Sequence, residues 1–335
     1  MNEEKEIEEG PREPRFPSLF ADKMALQEAI HTYIQTDGVD CPHGPMSTWD
    51  VSNITDMSGL FRGYTTFNES LEAWDVSNVD NMTHMFAGCH AFNQPLQTWD
   101  VSHVVNMECM FDNCCAFNQS LETWNVSNVR DMSYMFYDCH AFDQPLQAWD
   151  VSHVGDMMGM FQRCFTFNQP LEAWNVSHVC NVRNMFRGCF VFDQPLEAWD
   201  VSNVCIMSGM FDSCHAFNQP LEAWDVSNVT NMHQMFYQCK VFNQPLQAWN
   251  VSSVVVMEGM FQSCPVFNQP LADWDVSNVN NAMWMFHDCP SFEHNLFAWT
   301  QKNMHIRAQQ DALFFNAKQD QCDRCLHKRF DYVLK

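Results

Sequence analysis

The chain has 335 residues and a formal net charge of −24, from 41 Asp and Glu against 17 Lys and Arg. That balance excludes a nucleic-acid or anionic-membrane surface, since both require a basic footprint, and points instead to a cationic partner or a metal cation. The 28 Phe, 23 Met and 12 Trp supply an elongated apolar core.

Residues 1–16, MNEEKEIEEGPREPRF, are charged, Pro-containing and poor in apolar side chains, which predicts a disordered acidic tail. They contain no apolar h-region, and no apolar run in the chain reaches membrane-spanning length. Sixteen cysteines without an export signal predict an intracellular or virion-associated protein whose cysteines stay as thiols. Eight Asn-x-Ser/Thr sequons, such as Asn125-Val-Ser127, follow from the wording of the repeat and say little about glycosylation. Residues 17–47 predict an N-terminal capping helix and loop, with Phe20, Met24, Ile30, Tyr33 and Ile34 in helical phase.

Residues 48–299 repeat. Eleven of the twelve tryptophans recur every 25 residues from Trp49 to Trp299, which overrides the two-domain prior of length and predicts one solenoid of about ten coils. In the coil Leu121–Pro145, apolar residues alternate around Trp124, predicting a short strand with Trp124 and Val126 inward and Asn125 outward. Met132, Met135, Phe136 and Cys139 then stand at i, i+3, i+4 and i+7, the stripe of a two-turn helix, with Asp131 as its N-cap. Phe142 comes in on the return loop, and Pro145 ends it. Trp74, Trp99, Trp124, Trp149, Trp174, Trp199 and Trp224 belong to the predicted core. The resulting fold class is an α/β repeat solenoid: a right-handed, leucine-rich-repeat-like stack with a parallel sheet on the concave side and short helices on the convex side. Residues 300–335 break the period, carry seven Lys and Arg against four Asp, and predict a locally basic C-terminal cap.

Several columns of side chains bear on function. Asp50, Asp75, Asp100, Asp150, Asp200, Asp225 and Asp275, with Asn in the remaining coils, follow the repeat tryptophans and predict an outward acidic stack. Charges spaced roughly 5 Å apart repel, so the stack is expected to take up protons, a partner or calcium, unless its members simply hydrogen-bond to water and neighbouring coils. Arg163, Arg183 and Arg187 form the basic island of the array and the second candidate contact surface. Tyr134, Tyr137, Tyr237 and Trp284 occupy variable positions where specific recognition could be written, whereas His103, His153 and His178 read as surface substitutions. A cysteine column that includes Cys139, Cys164, Cys189 and Cys214 reads as small buried residues at a corner, because in-register stacking gives poor disulfide geometry. Cys322-x-x-Cys325-x-His327 is half of a structural zinc pattern. Phosphate loops, nucleophile elbows and His-Glu-x-x-His motifs are missing from the sequence, and no enzymatic role is expected.

The string MFxxCxxFNQPLxxWDVSNVxxM, as in Met210–Met232, resembles the repeat of the BspA-like leucine-rich-repeat proteins. More closely, it resembles the related repeat of mycoplasma surface lipoproteins and giant-virus proteins. The resemblance runs from about residue 17 to 299, including Ser47–Phe61, and implies surface or interaction modules. Together these features predict a non-enzymatic protein-interaction module that presents a rigid acidic surface to a cationic or repetitive protein. The alternatives are a self-associating structural component of a viral particle or surface layer, and a calcium-loaded scaffold.

Overall fold

A computed structural model describes residues 19–39 and 41–313, so the N-terminal tail and the Cys322, Cys325 and His327 cluster lie outside the described residues. Ten consecutive coils are joined by nine single-residue parallel bridges, from Asp56–Asn81 to Val256–Asn281. The bridges fall on the column predicted to cap helices, not on the column of Trp124. Neither the predicted strand around Trp124 nor the predicted helix at Met132–Cys139 forms; both segments are successions of turns.

The turns explain why the helical stripe misled. Tyr134 and Asp138 adopt left-handed backbone, with φ of 55° and 57°, which an α-helix cannot accommodate. Alternate backbone N–H groups of the segment then point out of the coil. Met132, Tyr134, Phe136 and Asp138 donate to the carbonyls of Asp156, Met158, Met160 and Gln162 in the next coil, at 2.7–3.1 Å. The intervening Met135, Tyr137 and Cys139 donate back three residues within their own coil. Met132, Met135, Phe136 and Cys139 still all face inward and are buried, so the stripe marks a core face without marking a helix.

The first half of the coil carries the alternation expected of a strand. Trp124 and Val126 are buried and Asn125 is exposed, as predicted, but the backbone turns at Trp124 (N–H to the Leu121 carbonyl) and again at Val129 (to Val126). Each indole reaches across the interface, Trp149 Nε1 donating to the Leu121 carbonyl at 2.9 Å. At the opposite corner Cys164 Sγ donates to the Phe136 carbonyl at 3.0 Å. The cysteine column is therefore more than small and apolar: its thiols satisfy backbone acceptors. All fourteen cysteines among the described residues are free thiols. Between the corners, Phe136 stacks on Phe142 of its own coil at 4.1 Å and on Phe161 of the next at 5.8 Å.

Both ends of the stack are covered. Helix α1, Lys23–Gln35, is capped by Asp22 and buries Leu26, Ala29 and Ile30. Phe20 and Tyr33 pack on Trp49, while Met24, predicted to face the first coil, is 70% exposed. After the last coil come α2, Phe297–Lys302, α3, Met304–Ala308, and α4, Gln310–Leu313. These supply what an eleventh coil would: Gln309 Oε1 accepts from the Ala282 N–H, and the carbonyls of Ala312 and Leu313 accept from Trp284 and Phe286. Buried Asn303 donates to the carbonyls of Val276 and Val279, both at 2.7 Å.

Two substitutions test this account. Asn303→Ala removes a donor to the Val279 carbonyl and a second donor to that of Val276, which keeps the Val279 N–H, and is expected to cost about 1–3 kcal/mol in urea unfolding. Trp174→Ala in mid-stack, which removes a core ring and an inter-coil donor, is expected to cost about 3–5 kcal/mol.

Candidate functional site

Two outward faces carry the candidate residues. On the first, the Asp column turns its own loop: Asp75 Oδ1 accepts from both the N–H and the hydroxyl of Ser77. Asn125 makes the same two contacts with Ser127. The asparagine of the same motif then ties coils together, Asn128 Nδ2 donating to the Ser102 carbonyl and Asn228 to that of Ser202. Asp75, Asp100, Asp150, Asp200, Asp225 and Asp275 are exposed and Asp50 is half-buried.

Bonding to Ser102 holds the Asp100 carboxyl below the usual aspartate range, and Ser152, Ser202, Ser227 and Ser277 do the same for Asp150, Asp200, Asp225 and Asp275. Of the alternatives open for the column, uptake of protons under mutual repulsion is not what these five carboxyls do. Donor hydroxyls and amides two residues on outweigh the exposed, water-screened neighbours.

The second face is made by the outward residues of the turn segment, where the coils differ most. Arg163, Arg183 and Arg187 lie here on adjoining coils and are exposed, and two of the three are ion-paired. Arg163 pairs with Asp138 of the preceding coil, and Arg187 Nε contacts Asp212 of the following coil at 2.9 Å. Asp138 also holds His140 Nε2 at 3.0 Å. Beside them a ladder of rings, half-buried except for the exposed Phe190, runs His140–Phe165–Phe190–His215, with centroids 4.4, 4.9 and 4.9 Å apart. Tyr134 and Tyr137 line a cleft of about 350 Å³ with Cys109, Asp112, Gln162 and Asn184. Tyr237 is half-buried and Trp284 is exposed.

Burial raises the carboxyl of Asp112, and it raises that of Asp212 despite Ser213 and Arg187. It also pushes the Cys109 thiol up to about 12, with Asp112, Glu108 and Asp131 adding to the effect. His103 and His178 are exposed replacements of the bridging asparagine, and His153 stacks on His178 at 6.5 Å.

A third column, absent from the expectations above, is structural. In FNQP and FDQP the Asn or Asp side chain accepts from the backbone N–H of its counterpart one coil on, as Asn93 Oδ1 does from Asn118 and Asp143 Oδ1 from Asn168, both at 2.9 Å. Its strict 25-residue recurrence was the available signal.

A stack of short irregular coils with fixed corners and one variable outward face defines a tandem-repeat solenoid. The family model described as "Mycoplasma protein of unknown function, DUF285" matches residues 27–147, 118–224 and 205–324, and the chain belongs to that family. Among solved structures it is similar to a leucine-rich cell surface protein from Faecalibacterium prausnitzii A2-165, at 12% identity and a TM-score of 0.34, over 78% of this chain and 86% of that one. No curated protein matches the chain. Among the described residues no helix is long and apolar enough to cross a membrane.

The two sets of carboxyls are expected to separate in a carbon-detected NMR pH titration. As pH falls, Asp112 and Asp212 take up protons first, above the ordinary aspartate value of 3.8, and the Asp100–Asp275 column last, below it. The linkage signs are opposite. The column's stabilisation is present above the unfolded pKa and is lost as pH falls through the lower folded values. The buried pair favours the folded state as pH falls through its raised values, and that contribution is lost as pH rises through them.

Proposed function

We propose that the chain is a rigid, non-enzymatic protein-interaction module whose Asp column engages a cationic, extended or repetitive protein partner. One observation carries this reading. The turn after each repeat tryptophan needs only a side-chain oxygen, and Asn125 and Asn250 provide it as well as Asp75 does. Seven of the ten positions nevertheless carry a charge that the fold does not require. Hydrogen bonds from the following serines keep those carboxylates ionised in at least five coils.

The net charge of −24 adds long-range attraction for a cation-rich partner, and weak contacts repeated along a preformed array sum by avidity. Because the coils are locked by backbone and side-chain bonds, the surface loses little entropy on binding. The paired arginines of the turn face are a poorer anchor, since a partner would first have to displace Asp138 and Asp212.

The test changes Asp100, Asp150, Asp200, Asp225 and Asp275 together to Asn, which keeps the turn and removes the charge. The variant should melt within a few degrees of the parent yet bind a Lys/Arg-rich repeat peptide at least about tenfold more weakly at low salt. Equal binding by both proteins, read by fluorescence anisotropy across a salt series, would sink the proposal.

A further inference from the structure

Two adjacent coils depart from the repeat in a way that gathers metal ligands. Position 84 is His and position 109 is Cys in a column that elsewhere holds Gly, Tyr, Asn, Gln or Trp. Glu108 sits beside Cys109 in a column that holds Glu again at 258, His at 233, and Ser, Thr, Met or Arg elsewhere. Coil stacking brings the three together: a ring nitrogen of His84, a carboxylate oxygen of Glu108 and Cys109 Sγ all lie within 4.8 Å of one another. Among the described residues they are the group of His, Cys, Asp and Glu that comes so close, and the Asp column forms no such set. A second observation is independent of that proximity. His84 is half-buried, and its enclosed Nδ1 has no hydrogen-bond partner, a state shared with His43 Nδ1, which has no such cluster of ligands beside it.

We infer that His84, Glu108 and Cys109 form a binding site for a zinc-class divalent cation, clamping the coil of Trp74 to the coil of Trp99. The donor set decides the class. Thiolate and imidazole suit zinc and its substitute cobalt, while calcium and magnesium require oxygen ligands. The local charge favours a cation, because Glu108, Asp112 and Asp131 all act on Cys109 against the single positive charge of Arg62. On binding, the Cys109 thiol gives its proton to solvent and the sulfur lone pair goes to the metal, so the metal's charge replaces the proton's with no redox change. Three protein ligands leave one position of a tetrahedral ion open, and Cys109 lines the cleft shared with Asp112 and Tyr134.

The inference does not depend on the partner proposed for the acidic face. Its test is a Co2+ titration of the reduced full-length chain, followed by absorption. One equivalent should bind with a thiolate-to-cobalt charge-transfer band and tetrahedral d–d bands, and Zn2+ should displace it. The signal should survive in the Cys322→Ser/Cys325→Ser chain and in Cys180→Ser, and vanish in Cys109→Ser. His84→Ala and Glu108→Gln should each weaken binding by at least about tenfold. These two variants decide the matter if Cys109→Ser fails to fold, with circular dichroism as the check. The site is refuted if no thiolate band appears, if the band persists in Cys109→Ser, or if it disappears with Cys322 and Cys325 alone.

Discussion

Everything in this molecule depends on one backbone arrangement: alternate N–H groups of a turn segment donated to the carbonyls of the next coil. Phe136 to Met160 and Phe161 to Met185 are two links of it, both at 2.9 Å. A single coil holds no helix or sheet that could satisfy its own polar backbone in a buried setting, so it has no stable form alone. Stability must therefore be a property of interfaces, and the stack is quasi-one-dimensional in energy as well as in shape. The same logic makes the ends obligatory. The last coil's donors would be stranded without Gln309, Ala312 and Leu313, and the aromatic face of Trp49 would be open without Phe20 and Tyr33.

Side chains repeat the scheme at places the backbone ladder does not reach. The Leu121 carbonyl accepts from the Trp124 backbone and from the Trp149 indole, and the Phe136 carbonyl from the Cys139 backbone and the Cys164 thiol. In both cases one lone pair closes a turn and the other receives the neighbouring coil. Tryptophan and cysteine thus do one job at opposite corners, each as an apolar filler with a single donor. That accounts for their near-invariance along the array without any redox or ligand role for the cysteine column, whose thiols burial keeps protonated.

Much of this was legible in the residues. A 25-residue period gives a stack, and apolar spacing gives the inward columns, because burial depends on which way a side chain points and not on the name of the element. The element types were not legible from apolar spacing. A stripe at i, i+3, i+4 and i+7 fits a helix, yet a chain of turns that sends residues inward in pairs produces the same pattern. The distinguishing signal was glycine: Gly59, Gly159, Gly209 and Gly259 share the column of Tyr134, and Gly63, Gly88 and Gly188 that of Asp138, all with positive φ. Glycine recurring at two outward positions of a supposed helix argues for left-handed turns. The ion pairing of two of the three arginines was hidden for another reason. Arg163 and Arg187 meet acids 25 residues away, and pairing across a coil interface becomes visible only once the register is known.

The separation of fixed from free positions is itself an argument about function. Trp, Val, Ser, Asn, Met, Phe, Cys, Gln and Leu columns all have contacts that a stack of any length would need, so their sameness carries no information about a ligand. Information resides where the fold is indifferent. It is indifferent between Asp and Asn after each tryptophan, and the chain chooses charge in seven of ten coils. On the turn face it is likewise indifferent to what projects from the left-handed positions, apart from a common backbone strain, and there the chain places His84 and Cys109 one above the other. The two faces therefore differ in kind. One presents a uniform charge that suits a repetitive partner and is insensitive to register. The other is individual from coil to coil and suits a ligand bound at one place. A solenoid built this way can carry both without conflict, because neither set belongs to the Trp, Val, Met, Phe and Cys139-type columns that hold the coils together.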